Sequence, residues 1–270
     1  MGLDLSLWPA YLEMARVRFL TWLAYRVNYY SGILVYTINI GAYYFLWQAI
    51  YHGRTTLGGL TAAQMTSYVT IGWLARAFYF NGLDREIADE IRDGTVAVQL
   101  IRPYNYLLGK SIGALGEAAF RLLFFTVPGL GLALLLFPVR LPGNAHSWGL
   151  FGLATVMSFL LNTQINIVTG LLAFFMLNNT GLIQAKRILI DLLSGVFLPL
   201  SFYPIWAFRI LRWLPFQGIS YVPNLAFSGA LTGRGFWQAF AQQAGWVLAL
   251  AVLITWMWRQ ARLRLVVQGG

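Results

Sequence analysis

Two stretches of this chain, Val27–Tyr51 and Phe236–Trp258, contain no charged side chain at all. A helix that crosses a bilayer needs about 20 mostly apolar residues, so each stretch is long enough to span one. Four further runs have similar length. Ala62–Leu83 carries only Arg76, Trp148–Leu177 carries no charge, and Ile188–Trp206 carries only Asp191. Tyr104–Val139 is longer, holds Lys110, Glu117 and Arg121, and is interrupted by Pro128. Composition agrees. Charged residues make up 10% of the 270, against roughly 25% in soluble domains, while aromatics reach 16% with 11 Trp and 14 Tyr. Trp and Tyr favour the membrane–water interface. A β-barrel would instead show alternating segments of about ten residues. A soluble globular domain, a disordered chain and a fibrous repeat are excluded, and the expected fold class is an all-α polytopic membrane protein with six spans.

The absence of cysteine removes disulfides, thiolate metal sites and a Cys nucleophile. The net charge of +10 is spread singly or in pairs between apolar runs, which is not the footprint of nucleic-acid binding. The opening residues MGLDLSLWPA carry Asp4 and precede a run too long for an h-region, so no cleavable signal peptide is expected. Gly2 and Ser6 fit the short myristoylation pattern, which would add little anchoring to six spans. Leu7–Ala24 reads as a helix on the membrane surface, with Trp8, Tyr11, Leu12, Ala15, Phe19 and Leu23 at helical spacing.

Orientation follows from the Lys/Arg bias of the loops. With the N-terminus inside, the inner side holds Arg16, Arg18, Arg26, Arg85, Arg92, Arg102, Lys110, Lys186, Arg187, Arg259, Arg262 and Arg264. The outer side holds only Arg54, Arg140, Arg209, Arg212 and Arg234. Both termini are therefore expected in the cytoplasm.

Two loops stand out. The inner loop Asp84–Pro103 begins DREIADEIRDG, a short helix with Ile87 and Ile91 on one face and charges elsewhere, a Gly94 stop and Pro103 beyond it. The charge pattern fits a helix that docks on a cytoplasmic partner, and equally a solvated helix with internal pairs. The outer segment Ser201–Gly235 is rich in aromatics and divided by Pro204, Pro215 and Pro223. It reads as re-entrant helices between spans five and six, with a flat interfacial cap as the alternative.

No motif for catalysis emerges. LLGKS at Leu107–Ser111 lacks the first glycine of a phosphate-binding loop, since Tyr104 occupies its place, and Lys110 is expected to snorkel to the inner interface. His52 and His146 lie in separate outer loops with no ligand partner, so no metal site is expected. The intramembrane charges are functional candidates by default. Glu117 with Arg121, and Arg187 with Asp191, stand at i, i+4 and can neutralise each other, whereas Arg76 has no local partner and must face protein or a cavity. Gly109, Gly113 and Gly116 offer a close-packing face.

The order of these features resembles a known family. A surface helix leads into RFLTWLAYRVNYYSGILVYTINIGAYYFLWQAIY, GGLTAAQMTSYV opens the second span, and the acidic helix is followed by DGTVAVQLIRPYNYLLGKSIG. The chain resembles the membrane subunit of type-2 ABC exporters, in the branch of short permeases encoded apart from their ATPase. The most specific element is E-I-x-x-G-T-x4-L-x-R-P, here Glu90–Pro103. The resemblance implies one transmembrane domain over residues 1–270, with 7–24 as connecting helix and 84–92 as coupling helix. Asp84, Arg85, Glu86, Ile87, Glu90, Ile91 and Arg92 would then seat in a groove of the ATPase. It also implies a non-catalytic subunit that binds no cofactor, with ATP and Mg on two copies of the partner ATPase. A second permease, identical or a sister chain, would complete a pathway in a bacterial inner membrane. Uncharged aromatic walls at Trp73, Tyr79, Phe197 and Phe202 favour an amphipathic or lipid-like substrate. The alternative is a stand-alone proton-coupled carrier that uses Glu117.

Overall fold

The computed structural model describes residues 5–24, 27–176 and 178–263. Gly2, Arg26, Arg264 and both termini, which carry part of the orientation argument, lie outside them. Helix α1 (Trp8–Ala24) precedes α2 (Val27–Tyr51), whose bounds match the first expected span. A two-residue hairpin follows, β1 (Thr56–Leu57) against β2 (Leu60–Thr61). Its loop residues Gly58 and Gly59 have φ of 56° and 80°, the left-handed pair that a type I′ turn requires. Next come α3 (Ala62–Tyr79), α4 (Leu83–Arg92), α5 (Val96–Leu100), α6 (Tyr106–Arg121) and α7 (Val127–Leu136). The chain ends with α8 (Ala145–Leu171), α9 (Thr180–Leu193), α10 (Ile205–Leu211), α11 (Tyr221–Phe227) and α12 (Gly233–Leu263).

Four helices among the described residues are long and apolar enough to cross a membrane: 30–51, 106–136, 145–174 and 233–263. Helix α3 is different. Its polar side chains lower its hydropathy because it is covered by protein, with most residues from Met65 to Tyr79 buried. Several of those polar groups are satisfied internally: Thr66 donates to the Ala62 carbonyl, Ser67 to the Arg140 carbonyl and the Tyr68 hydroxyl to the Gly195 carbonyl at 2.6 Å. Thr61 and Gln64 cap its start reciprocally. The second of these, 106–136, is continuous through Pro128, but the five residues Leu122–Thr126 form a π-turn just before it. Proline cannot donate to the preceding turn and crowds its carbonyl, and a widened turn accommodates both.

The run Ile188–Trp206, expected as one span, is not one helix. Helix α9 ends at Leu193, Gly195 takes φ of 83°, and a 3-10 turn at Leu200–Phe202 precedes α10. The Ser194–Gly195 stop and Pro199 are the local cause. Within Ser201–Gly235 lie two short helices of unlike character. α10 leaves Ile205, Trp206 and Ile210 exposed, whereas α11 buries Val222, Ala226 and Phe227 against α8.

Helix α1 packs along α6 as well as presenting an exposed side. Tyr11 is buried and its hydroxyl accepts from the Asn105 amide at 2.9 Å, Phe19 meets Phe120 edge-on, and Leu12, Val17 and Leu20 are exposed. The close approach depends on Gly116, where an added Cβ would stand 2.0 Å from the Ala15 carbonyl oxygen. Gly109 abuts Met14, while Gly113 has open space. Gly116→Ala should therefore force α1 away at a cost of about 1–3 kcal/mol. Thermal unfolding of the detergent-solubilised protein, with protease sensitivity around residues 8–24, would record it. A variant as stable and as protected as wild type would contradict this packing.

Candidate functional site

Helix α4 is strongly amphipathic, and its chemistry follows from which side faces where. Leu83, Ile87 and Ala88 are fully buried. Ile87 rests on Gly170 of α8, where a Cβ would come within 2.9 Å of the Ile87 Cβ and 3.1 Å of the Asp84 carbonyl. Of the residues that the resemblance would seat in an ATPase groove, Ile87 and Ile91 pack inward on the core, Ile87 fully buried on Gly170 and Ile91 partly buried. The outward side is Arg85, Asp89 and Arg92, with Asp89 and Arg92 paired to each other.

The start of α4 is held by a buried polar chain. Lys186 of α9 donates to Asp84 and to the Asn166 side chain, each at 2.5 Å. Asn166 in turn donates to Asn81 at 2.9 Å, and Asn81 donates to Thr163 at 2.9 Å. The turn between α3 and α4 exposes two carbonyls, of which Tyr79 accepts from Asn162 at 2.8 Å and Phe80 from Arg121 at 2.6 Å. Asn81, Asn162, Thr163 and Asn166 escaped the sequence reading. The available signal was the polar set Asn162, Thr163, Gln164 and Asn166 inside a charge-free apolar run.

The acids Glu86 and Glu90 do not point to solvent. Glu86 pairs with Arg18 of α1 and with Lys110 of α6, the latter at 2.6 Å. Glu90 takes Lys110 at 2.5 Å and the Tyr106 hydroxyl at 2.6 Å. Lys110 therefore does not snorkel outward, since two carboxylates beside it offer more than headgroup water. Burial alone would raise the Glu86 carboxyl, but Lys110 and then Arg18 outweigh it and hold it below its ordinary range. Deeper along α6, Glu117 pairs with Arg121 as the spacing predicts, and Arg18 lies 4.0 Å from it.

Arg76 finds its partner across the fold. It pairs with Asp191 of α9, so the expected Arg187–Asp191 pair does not form. Arg187 instead lies over the Phe80 ring at 5.3 Å, with Arg76 at 5.5 Å from the same ring. Both pairs border a cavity of about 110 Å³ between α3, α4, α8 and α9. The expected path residues divide into groups. Trp73 and Phe197 meet at 5.6 Å in a cluster with Tyr43 and Tyr36. Phe202 packs on Trp47 at 4.9 Å, and Tyr79 is buried away from both.

The family described as ABC-2 family transporter protein matches residues 37–269, which include α4 and exclude α1. No curated protein matches the chain.

Two outcomes test the site. Lys186→Met leaves Asp84 buried and unpaired and should cost about 3–5 kcal/mol, much of it recovered in the double variant with Asp84→Leu. A double variant no better than the single would remove the pairing argument. Because the Glu86 carboxyl is depressed in the fold, its stabilisation is complete above the ordinary carboxylate value near pH ~4.3 and is lost as pH falls through the lower folded value. Glu86→Gln should flatten that acid limb of the stability–pH profile, and an unchanged limb would mean that other carboxylates dominate it.

Proposed function

Because this chain belongs to the ABC-2 transporter family and is thereby a membrane permease component of an ABC transporter, we propose that it forms half of the pathway of an ATP-driven exporter. In this reading the chain is a single transmembrane domain. The four long helices, α3, and α9 with the segment after it make six passes, and α10 and α11 form a re-entrant cap on the outer side. Both termini are cytoplasmic. Two copies of a separate ATPase hold ATP and Mg, and a second permease, identical or a sister chain, closes the path.

The observation that carries this reading is helix α4. One side is locked into α8, α9, α6 and α1 through Ile87, Asp84, Glu86 and Glu90. The other side leaves Arg85, Asp89 and Arg92 in solvent. A helix held rigidly from within and charged on its free side can transmit the movement of a bound partner to four membrane elements at once. The inward acids are then the transmission, and the outward charges are the contact. The aromatic group of Trp73, Phe197, Tyr43 and Tyr36 is suited to line a path for an amphipathic or lipid-like substrate. A proton-coupled carrier that uses Glu117 has less support, since that carboxylate is committed to Arg121 with Arg18 beside it.

The test is co-purification of the tagged chain in mild detergent, followed by mass spectrometry. An ATPase with an intact phosphate-binding loop is the expected companion, and subunit masses decide between homodimer and sister pair. Arg85→Glu with Arg92→Glu should weaken that association about tenfold while membrane insertion stays normal. Equal ATPase recovery with the double variant would move the contact away from α4, and recovery of a chain without any ATPase would reject the exporter reading.

A further inference from the structure

A groove of about 690 Å³ runs between α6, α8 and α12 on the side away from the α3–α9 cavity. Arg102, Arg259 and Arg262 all line it, and no acidic side chain does. Among the described residues, none of the three arginines takes part in a salt bridge. Leu108, Ile167, Ala251 and Ile254 supply apolar wall, interspersed with the hydroxyls of Ser111 and Thr255 and the amide of Gln164. Trp258 also lines the groove, stacked on Tyr106 with ring centroids 5.4 Å apart and an interplanar angle of 13°.

The dimensions identify what this shape admits. Arg259 and Arg262 directly follow the charge-free run that ends at Trp258, so by length they emerge at the boundary of the hydrocarbon. From Ala251 to Arg262 the helix rises roughly 16 Å at 1.5 Å per residue, close to the ~15 Å of hydrocarbon in one leaflet. The groove thus joins a wall that is more apolar than polar, about as long as one leaflet is deep, to three arginines, two of which stand at headgroup level with Trp258 beside them. A soluble anion would use only the guanidinium end and leave the apolar length unexplained. A zwitterionic lipid would gain little from three uncompensated arginines.

We infer that this groove binds an anionic phospholipid of the leaflet at that end of the chain, its phosphate held by Arg102, Arg259 and Arg262 and an acyl chain lying between α6, α8 and α12. The inference rests on the chain spanning the bilayer but not on its ATPase partner, so failure of one leaves the other standing.

The experiment presents the full chain, in mild detergent, with equimolar phosphatidylglycerol and phosphatidylcholine and counts retained lipids by native mass spectrometry. Wild type should retain phosphatidylglycerol in preference. Each Arg→Gln change should lower that preference about five-fold, and R102Q/R259Q/R262Q about a hundred-fold, at ~1 kcal/mol per arginine. Arg209→Gln, on the exposed α10, should leave it intact. Ala251→Phe keeps the charges but fills the apolar length, and should also release the lipid, so the claim survives even where the triple variant fails to fold. Equal retention of the two lipids by wild type would overturn the inference. So would wild-type preference in the Ala251→Phe variant, or displacement of phosphatidylglycerol by glycerol 3-phosphate alone.

Discussion

The fold turns on three residues, Phe80–Gly82, where α3 stops and α4 begins. At a helix C-terminus the last carbonyls have no intrahelical donor, and in a low-dielectric interior each one left bare costs several kcal/mol. Here the donors are side chains from other helices: Asn162 reaches the Tyr79 carbonyl and Arg121 reaches that of Phe80. Asn166 and Thr163 share Asn81 between them. The turn can exist only while α6 and α8 stand where they do. Backbone satisfaction and the positioning of α4 are therefore one requirement.

The charges obey a related logic. Inside a bilayer an ionised side chain persists when it is paired or faces protein, and nearly all of the interior charges here are paired between elements distant in sequence. Arg76–Asp191 joins α3 to α9, Lys186–Asp84 joins α9 to α4, and Lys110 with Glu86 and Glu90 joins α6 to α4. Because breaking one partner strands the other, these pairs specify which helices neighbour one another more than they add stability. The apolar contacts alone would leave that choice weakly determined, since lipid tails are as apolar as leucine.

How much of this was readable beforehand depended on range. The first span and the acidic helix were legible nearly to the residue, because a charge-free run and an amphipathic pattern are local properties of consecutive side chains. The Glu117–Arg121 pair was legible for the same reason, as one helical turn separates the two. Asp191 was assigned to the wrong cation because the nearest one in sequence, Arg187, is drawn to Phe80 while Arg76 arrives from another helix. The seat of Ile87 could not be read, because nothing near it in sequence announces Gly170, which makes room for it. The sense of each acid on α4 was likewise invisible, since it is set by Arg18, Lys110 and Lys186 on three separate helices.

The π-turn at Leu122–Thr126 has an effect that reaches beyond Pro128. One additional residue in a turn advances the angular phase of everything after it by about 100°. The charged meridian of α6, through Lys110, Glu117 and Arg121, therefore ends at the bulge rather than running up α7. Above it the helix presents Gly129 to Leu74, and Thr126 donates to the Leu74 carbonyl at 3.0 Å. The two halves of this pass thus keep separate registers, one tuned to its ionic neighbours and one to its apolar neighbours. A chain lacking that single residue could preserve either alignment but not both, so the length of this segment is under tighter constraint than its composition.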